Sequence, residues 1–288
     1  MPNTGLDEFF DNAERYYAIH MSLNEAVNLN IPLVMTATID PRGMTGLSVN
    51  DIAERVEQYR STLDYYLGSG IFRQIVFVEN SGYDLSEFRA LASAYPSVTV
   101  EIISCDMNDY PRHLGKSYGE MQILDHVVDH SAFVKEAGEF IKVTGRFPIL
   151  NIDKLLTEAE RRRPWELFCD CKDHPVYDWL RLGWNGHAAD TRFFIVSTDF
   201  YRRNFYGRYA ELDDSAGKLI ESLFFQVSKE RSQFEPIIRR FRTEPEYSGK
   251  AGHVQISIIG TNNYSGLMAR SKRSIRRIAR KVCPWFWF

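Results

Sequence analysis

Four short apolar runs constrain the fold of this chain more than any other feature of its sequence. The runs are rich in β-branched residues and lie at 31–39, 71–78, 98–104 and 140–144. Segments of helical character lie between them, at 51–67, 85–95 and 117–130. Continuous apolar runs of this length predict strands that are buried on both faces. Their alternation with helices predicts an α/β fold in which three layers surround a central sheet.

The later part of the chain is less regular. The elements predicted there are a strand over 191–198, an amphipathic helix over 214–229 and a strand over 254–259. Ser117 and Glu120 have the spacing of a capping box, which predicts that the third helix begins at this point. One domain of residues 1–265, followed by a tail of residues 266–288, accounts for these patterns.

Composition excludes several classes of protein. The 288 residues are 44% hydrophobic and 25% charged, as in soluble globular proteins. No run approaches the roughly 18 apolar residues of a transmembrane helix, and the acidic first residues argue against a secretory signal. The four cysteines are scattered, which favours a reducing cytoplasm. Cys169 and Cys171 have no second ligand pair for zinc, so neither a metal nor a cofactor is expected.

The end of the chain differs from the rest in charge. Residues 270–281 contain no acid and seven cations, which are Arg270, Lys272, Arg273, Arg276, Arg277, Arg280 and Lys281. Without them the net charge falls from −3 to −10, so an acidic body carries a basic tail. Ile275, Ile278 and Val282 share one helical face, and the chain ends in Trp-Phe-Trp-Phe. Such a segment predicts binding to an anionic membrane surface through residues 266–288. A nucleic-acid arm is the alternative, which the aromatic end disfavours, so no nucleic acid is expected.

Ligands of open α/β sheets bind beyond the carboxyl ends of the strands. The segments that follow the four predicted strands are 36–42, 79–82, 104–120 and 144–147. Two stretches in this region, 114–120 and 142–146, place a lysine or arginine beside a glycine. Cations and the amides of a helix N-terminus together suit a diphosphate group.

Three segments resemble the GT-A class of bacterial glycosyltransferases. They are TATIDP from Thr36, IVFVENSGYD from Ile75, and GKSYGEMQILDHVVDHS from Gly115. In most members the next strand ends in Asp-X-Asp, which holds a divalent metal, whereas this chain has FIKVTGRFPILN from Phe140. In this respect the chain, over residues 31–155, is similar to glycosyltransferases of surface-polysaccharide (O-antigen or capsule) synthesis that lack the metal motif.

The resemblance implies a GT-A-like sandwich with a mixed central sheet, and a transferase that takes a sugar from a nucleotide donor, UDP being expected. The expected nucleotide-binding residues are Thr36, Thr38, Asp40, Glu79, Asn80 and Ser81. Fixed cations would replace the metal at the diphosphate, and the candidates are Lys116, Lys142, Arg146 and His253. The candidate bases for the acceptor hydroxyl are Asp199, Asp213, Asp214 and Glu221. The resemblance also implies a lipid-linked glycan acceptor, and a peripheral location on the inner, cytoplasmic face of the bacterial plasma membrane.

Structural roles remain open for several of these residues. Residues 79–82 have the composition of an ordinary turn, and Lys116 is equally consistent with a solvated loop lysine. Lys142 lies within an apolar strand, where an unpaired lysine is costly, so an ion pair is an alternative to ligand binding. For the whole chain, the alternatives are a non-catalytic, membrane-associated adaptor that binds nucleotides and a nucleic-acid-binding protein that uses the tail.

Overall fold

The structure is a computed structural model that describes residues 30–44, 49–173 and 186–248, together with Arg280. Residues 1–29 and the predicted strand at 254–259 therefore lie outside the described residues, as do His253 and nearly all of the tail. Within the described part of the chain, no helix is long and apolar enough to cross a membrane.

A seven-stranded mixed sheet forms the centre of the fold. Its strands, in spatial order, are β3 (Thr99–Ser104), β2 (Gln74–Glu79), β1 (Leu33–Ala37), β4 (Glu139–Thr144), β8 (Phe193–Ser197), β5 (Leu167–Phe168) and β9 (Ile237–Ile238). The first four are parallel, whereas β8 runs antiparallel to β4. Strands β6 (Cys171–Asp173) and β7 (His187–Ala189) form a separate antiparallel pair.

Helices cover both faces of the sheet. On one face lie α1 (Ile52–Gly68), α2 (Ser86–Ser93) and α5 (Ile152–Arg161), and on the other α3 (Gly115–His130), α4 (Ala132–Ala137), α6 (Thr198–Asn204) and α7 (Ile220–Arg231). Alternate residues of β1 enter the two cores, Leu33 and Met35 on one side and Val34 on the other. The predicted GT-A-like class, an α/β sandwich around a mixed sheet, is confirmed in the described residues.

The start of α3 differs from its prediction. The helix begins at Gly115, and Ser117 lies buried within its first turn. No side chain of the first turn caps it; instead, Asp214 accepts a hydrogen bond from Lys116 N at 2.9 Å. A Cβ on Gly115, which has φ +75°, would lie 2.3 Å from the Asp214 carboxyl carbon. The cap therefore comes from a distant segment, which the local capping-box pattern does not reveal.

The strand order creates a switch point between β1 and β4. From β1 the chain crosses to β2 and β3 on one side, and then returns to β4 on the other. Thr36 and Thr144 are paired at the carboxyl ends of these neighbouring strands. The connections leave in opposite directions there and open a crevice at the sheet edge, which is where ligands of such sheets bind.

Candidate functional site

A cavity of about 440 Å³ lies at the switch point. Thr36 and Thr38 line it from β1, and Thr144 and Arg146 line it from the end of β4. The residues that contribute its other polar walls are Arg55, Tyr59, Lys116, Glu120, Lys172, Asp190, Arg192 and Glu221. Two of the predicted nucleotide-binding residues, Thr36 and Thr38, therefore lie where a ligand of this crevice would bind.

Arg55 and Tyr59 hold the exit of β1 in place. The Arg55 guanidinium donates to Thr38 O through Nε, at 2.8 Å, and also through Nη2. Its Nη1 donates to Val49 O at 3.1 Å. The Tyr59 hydroxyl accepts from Thr38 N at 3.0 Å. Arg55 thus brings a buried positive charge to the cavity wall with only neutral acceptors around it among the described residues.

Glu79, predicted to bind the nucleotide, lies at the end of β2 and does not line the cavity. Its carboxylate is fully buried and accepts hydrogen bonds from Ile39 N, Ser81 N and Tyr83 N at 2.9, 2.9 and 3.1 Å, and from the Ser81 hydroxyl. A carboxylate with these four donors shapes the loops and does not face the cavity. Ser81 in turn accepts from Asp40 N at 3.0 Å.

Asn80 and Asp40 likewise lie behind the cavity. Asn80 Oδ1 accepts from Thr38 Oγ1 at 2.7 Å, which orients a threonine that does line the cavity. Asp40 Oδ1 accepts from Arg42 N at 2.8 Å within its own turn. These hydrogen bonds support the β1 exit, and Asp40, Asn80 and Ser81, for which nucleotide contacts were predicted, do not line the cavity.

Arg146 is the cation best placed to meet an anionic ligand. It lines the cavity, and no carboxylate within the described ranges lies at salt-bridge distance from it. Burial is the main cause that lowers the pKa of its guanidinium, and the positive charge of Arg55 adds to the effect. The backbone beneath it is tight, since a Cβ on Gly145 would lie 2.8 Å from Thr36 O. An anion in the cavity would relieve this desolvated and unbalanced charge.

Lys142 has a different role from the one predicted. Its side chain is fully buried, and Nζ contacts a carboxylate oxygen of Glu120, Thr144 Oγ1 at 3.2 Å and Thr191 O at 2.6 Å. An ammonium group has three donors, and these three acceptors use all of them. In this arrangement Lys142 has no donor left for the diphosphate contact predicted for it. Lys142 instead ties together α3, β4 and the segment before β8 beneath the cavity.

Lys116 and Glu221 form an ion pair at the cavity wall, with Nζ and Oε1 3.2 Å apart. The second carboxylate oxygen, Oε2, is buried and has no hydrogen-bond partner among the described residues. Glu221 lies in the first turn of α7, which directs it at the cavity. Of the predicted bases, it is the one that lines the cavity.

The other predicted bases lie elsewhere. Asp214 caps α3, and Asp213 accepts from Ser215 N at 2.9 Å within its own turn. Asp199 is exposed in the first turn of α6, after β8. Because β8 is antiparallel to β4, its carboxyl end lies at the opposite edge of the sheet from the cavity. The rule that places ligands beyond strand ends therefore does not apply to Asp199.

The amino end of β8 supplies residues that the sequence prediction missed. Asp190 pairs with Arg192, whose Nε lies 2.8 Å from Asp190 Oδ1, and the Arg192 guanidinium lies 3.9 Å from the Tyr247 ring centre. Burial opposes ionisation of Asp190, but Arg192, with help from Lys172, lowers the pKa of this carboxyl to about 2. The signal in the sequence was the polar stretch 190–192 before the apolar run of β8. It indicates the cavity only once β8 is known to be antiparallel to β4, because its amino end then lies at the cavity.

Arg55 was also missed, although its position carried a signal. It lies four and eight residues before Tyr59 and Leu63, on the buried stripe of α1. An arginine on the apolar face of a helix needs buried acceptors or a ligand.

The described residues of the cavity do not form a site for a divalent cation. Where the resembled family has Asp-X-Asp, this chain has Thr144, Gly145 and Arg146, so a cation faces the cavity in place of the carboxylates. The three carboxylates that do line the cavity are each paired with a cation: Glu120 with Lys142, Asp190 with Arg192 and Glu221 with Lys116. Over the described ranges, no three histidine, cysteine or acidic side chains are grouped to hold a metal.

Arg280 is the one described residue of the tail. It is buried against the body, where its Nη2 lies 2.7 Å from Asp170 Oδ2 and its Nη1 donates to Phe241 O at 2.8 Å. One of the seven tail cations therefore pairs with the body and is not available to a membrane. The membrane contact predicted for 266–288 otherwise concerns residues outside the described part.

The chain is similar to several solved structures but to no family model and no curated protein. Core-mannan synthase A from Aspergillus fumigatus, in its Mn/GDP form, is 11% identical over 90% of this chain and 87% of that chain, with a TM-score of 0.46. The inositol-1-phosphate CTP transferase from T. maritima is 9% identical over 89% and 99%, with a TM-score of 0.47. Mouse xyloside xylosyltransferase 1 is 14% identical over 68% and 76%, with a TM-score of 0.34. Likenesses at these identities concern the path of the chain, so the chemistry of the pocket is taken from its own residues.

Proposed function

We propose that this protein is a glycosyltransferase that takes a sugar from a nucleoside diphosphate donor without a metal ion. The observation that supports this most is Arg146, a desolvated guanidinium without a carboxylate partner in the described ranges, at the switch point of the sheet. Five cationic and three anionic side chains line the cavity, so it favours an anion. Arg146 would hold the diphosphate, with the buried charge of Arg55 behind it, and the walls at Thr36 and Thr38 would meet the nucleoside.

The reaction requires stabilisation of a leaving group. The acceptor hydroxyl oxygen forms a new bond to the anomeric carbon, while the bond from that carbon to the diphosphate oxygen breaks. The electron pair of the broken bond leaves with the nucleoside diphosphate, whose negative charge increases. Preorganised cations stabilise such charge most effectively in a site that excludes water. Hydrogen bonds to Thr38 O and Val49 O fix Arg55 beside the cavity before the reaction begins.

Glu221 is the proposed general base. Glu221 lines the cavity, where Lys116 holds its Oε1 at 3.2 Å, and its buried Oε2 has no partner among the described residues. The Glu221 carboxylate would accept the proton that the acceptor hydroxyl loses. A direct displacement of this kind inverts the configuration at the anomeric carbon.

The finer parts of the proposal rest on the sequence resemblance. They are a UDP donor, a lipid-linked glycan acceptor of surface-polysaccharide synthesis, and a peripheral position on the cytoplasmic face of the bacterial plasma membrane. The basic residues of 266–288 support the membrane position. A lipid-linked acceptor is consistent with it, because such an acceptor is presented at the membrane surface.

Substitution of Arg146 tests the proposal. The Kd of UDP is measured by calorimetry, with and without EDTA, for the wild type and for Arg146→Gln. A charged hydrogen bond contributes about 1.5–3 kcal/mol, so the variant should bind UDP roughly ten- to a hundredfold more weakly. Arg203→Gln is the matched control, because Arg203 is 53% exposed and pairs with Glu235 away from the cavity. Its Kd should equal that of the wild type, and EDTA should change none of the values.

Turnover separates an enzyme from a nucleotide-binding adaptor. Wild-type protein with a panel of UDP-sugars should release UDP, and Glu221→Gln should retain UDP binding but lose this release. Absence of binding to every nucleoside diphosphate tested would overturn the proposal. Binding that Arg146→Gln leaves unchanged would overturn the assigned site, and binding without turnover would favour the adaptor.

A further inference from the structure

A second carboxylate, Glu120, faces the cavity with one oxygen available. It lines the cavity from α3, and its Oε1 is paired with Lys142. Its other oxygen, Oε2, has no hydrogen bond within the described ranges, and the side chain is 20% exposed. Neither nucleotide binding nor the proposed base accounts for this group.

Lys142, on β4, holds the Glu120 carboxylate in place through an ion pair. Its three donors are taken by Glu120, Thr144 and Thr191, so it cannot reach a ligand without leaving this arrangement. The fully buried ammonium has the Glu120 carboxylate as its counter-charge and holds it in place. Lys142 is therefore a positioning residue, and Glu120 Oε2 is a preorganised acceptor.

Glu120 and Arg146 line the same part of the cavity. Glu120 lies on α3, which packs against β1 and β2, and its charge is among those that act on Arg146. Arg146 itself has no carboxylate at salt-bridge distance in the described ranges. A donor with its diphosphate at Arg146 would therefore have its sugar near Glu120. Glu120 lies one helical turn after Lys116, so it shares a helix face with the residue that holds Glu221.

We propose that Glu120 accepts a hydrogen bond from a hydroxyl group of the donor sugar, and that it selects neutral sugars over acidic ones. An ionised acceptor favours a hydroxyl donor and repels the carboxylate of a uronic acid. Glu221 is a different case, because it is the base proposed for the acceptor hydroxyl. The inference rests on the proposed function, since it requires a nucleoside diphosphate sugar in this cavity.

Paired donors that differ only at C6 test the selection. UDP-glucose is compared with UDP-glucuronate, and UDP-galactose with UDP-galacturonate, by calorimetric Kd. The wild type should bind the neutral member of at least one pair roughly tenfold more tightly or better, which corresponds to about 1.4 kcal/mol. Glu120→Gln keeps the shape but removes the charge, so it should bring that ratio close to one while the variant still binds UDP. Glu230→Gln, on an exposed part of α7, is the matched control and should keep the wild-type ratio.

A second variant separates the loss of the Glu120 charge from a disturbance of the fold. Glu120→Gln leaves the Lys142 ammonium buried without its carboxylate, whereas Glu120→Gln with Lys142→Met removes both charges. The double variant should also lose the neutral-sugar preference and keep UDP binding. A preference that survives in folded variants, or a wild type that binds uronates as well as neutral sugars, would overturn this inference while leaving the proposed function intact. A wild type that does not bind UDP at all would instead contradict the proposed function.

Discussion

Two cations from one short segment differ in role because of where their side chains lie. Lys142 lies within β4 and is surrounded by three acceptors of the protein itself. Arg146 follows the strand and faces the cavity, with no such carboxylate in the ranges described. The sequence predicts both as diphosphate ligands, because both stand near Gly145 and both are positive. What separates them is the distance to Glu120, a contact between residues 22 positions apart that no local pattern contains.

The Asp190–Arg192 pair predicts how stability depends on pH. The folded-state pKa of Asp190, about 2, lies below the ordinary value of 3.8. Its ionised form therefore stabilises the fold above about pH 4, and this contribution, about 2 kcal/mol, is lost as the pH falls towards 2. Urea unfolding of the wild type and of Asp190→Asn should show a difference in unfolding free energy that narrows over this interval. A difference that stays constant from pH 6 to pH 2 would contradict the assignment.

At the scale of elements, the first four strands and the first three helices were predictable from the sequence. Their apolar runs are continuous, because β1, β2 and β4 are buried on both faces, and the helices between them have clear stripes. Two properties were not predictable. The direction of β8 depends on its pairing with β4, and the cap of α3 comes from Asp214, 98 positions from Lys116. Both are long-range contacts, and both moved predicted site residues away from the cavity.

The candidate site was predictable only in part for the same reason. Thr36, Thr38, Lys116, Arg146 and Glu221 were predicted and line the cavity. Strand ends and glycine-flanked cations indicate the general region, because parallel strands bring their carboxyl ends to one edge. These patterns do not show which polar side chains form hydrogen bonds within the protein itself, as the Glu79 carboxylate does.

The start of α3 supports a prediction about Gly115. Alanine there would meet the Asp214 carboxyl group at 2.3 Å and would also adopt an unfavourable positive φ. Gly70 is the matched control, because it has φ +68° and no atom lies within 4 Å of the place that an added methyl group would occupy. Gly115→Ala should lower the unfolding free energy by about 1–3 kcal/mol more than Gly70→Ala, as expected for overpacking.

Nucleotide binding should separate the same two variants. The steric conflict displaces the start of α3, which carries Lys116, and so disturbs the ion pair of Lys116 with Glu221 on α7. Gly115→Ala should therefore also weaken UDP binding, while Gly70→Ala should not. Thermal unfolding and UDP titration of both variants provide the measurements. Equal losses of stability in the two variants would show that Asp214 moves aside without cost.

For the whole molecule, the distribution of charge matters more than the net value of −3. The body is acidic and its cavity is cationic, so an anionic ligand is attracted to one position on a surface that otherwise repels it. The tail adds a second cationic region, at residues 270–281. The pairing of Arg280 with Asp170 separates these seven charges into one that holds the chain to the body and six that are candidates for membrane contact.

A charge variant that keeps Arg280 tests this division. The six other cations, replaced by glutamine, are Arg270, Lys272, Arg273, Arg276, Arg277 and Lys281. Each cation contributes about 1 kcal/mol near an anionic surface, so this variant should lose binding to phosphatidylserine vesicles in a flotation assay and keep its stability. Arg280→Gln should do the reverse, because a broken buried pair costs about 3–5 kcal/mol of unfolding free energy. Vesicle binding that survives the six substitutions would contradict the membrane role, and loss of oligonucleotide binding alone would favour a nucleic-acid arm.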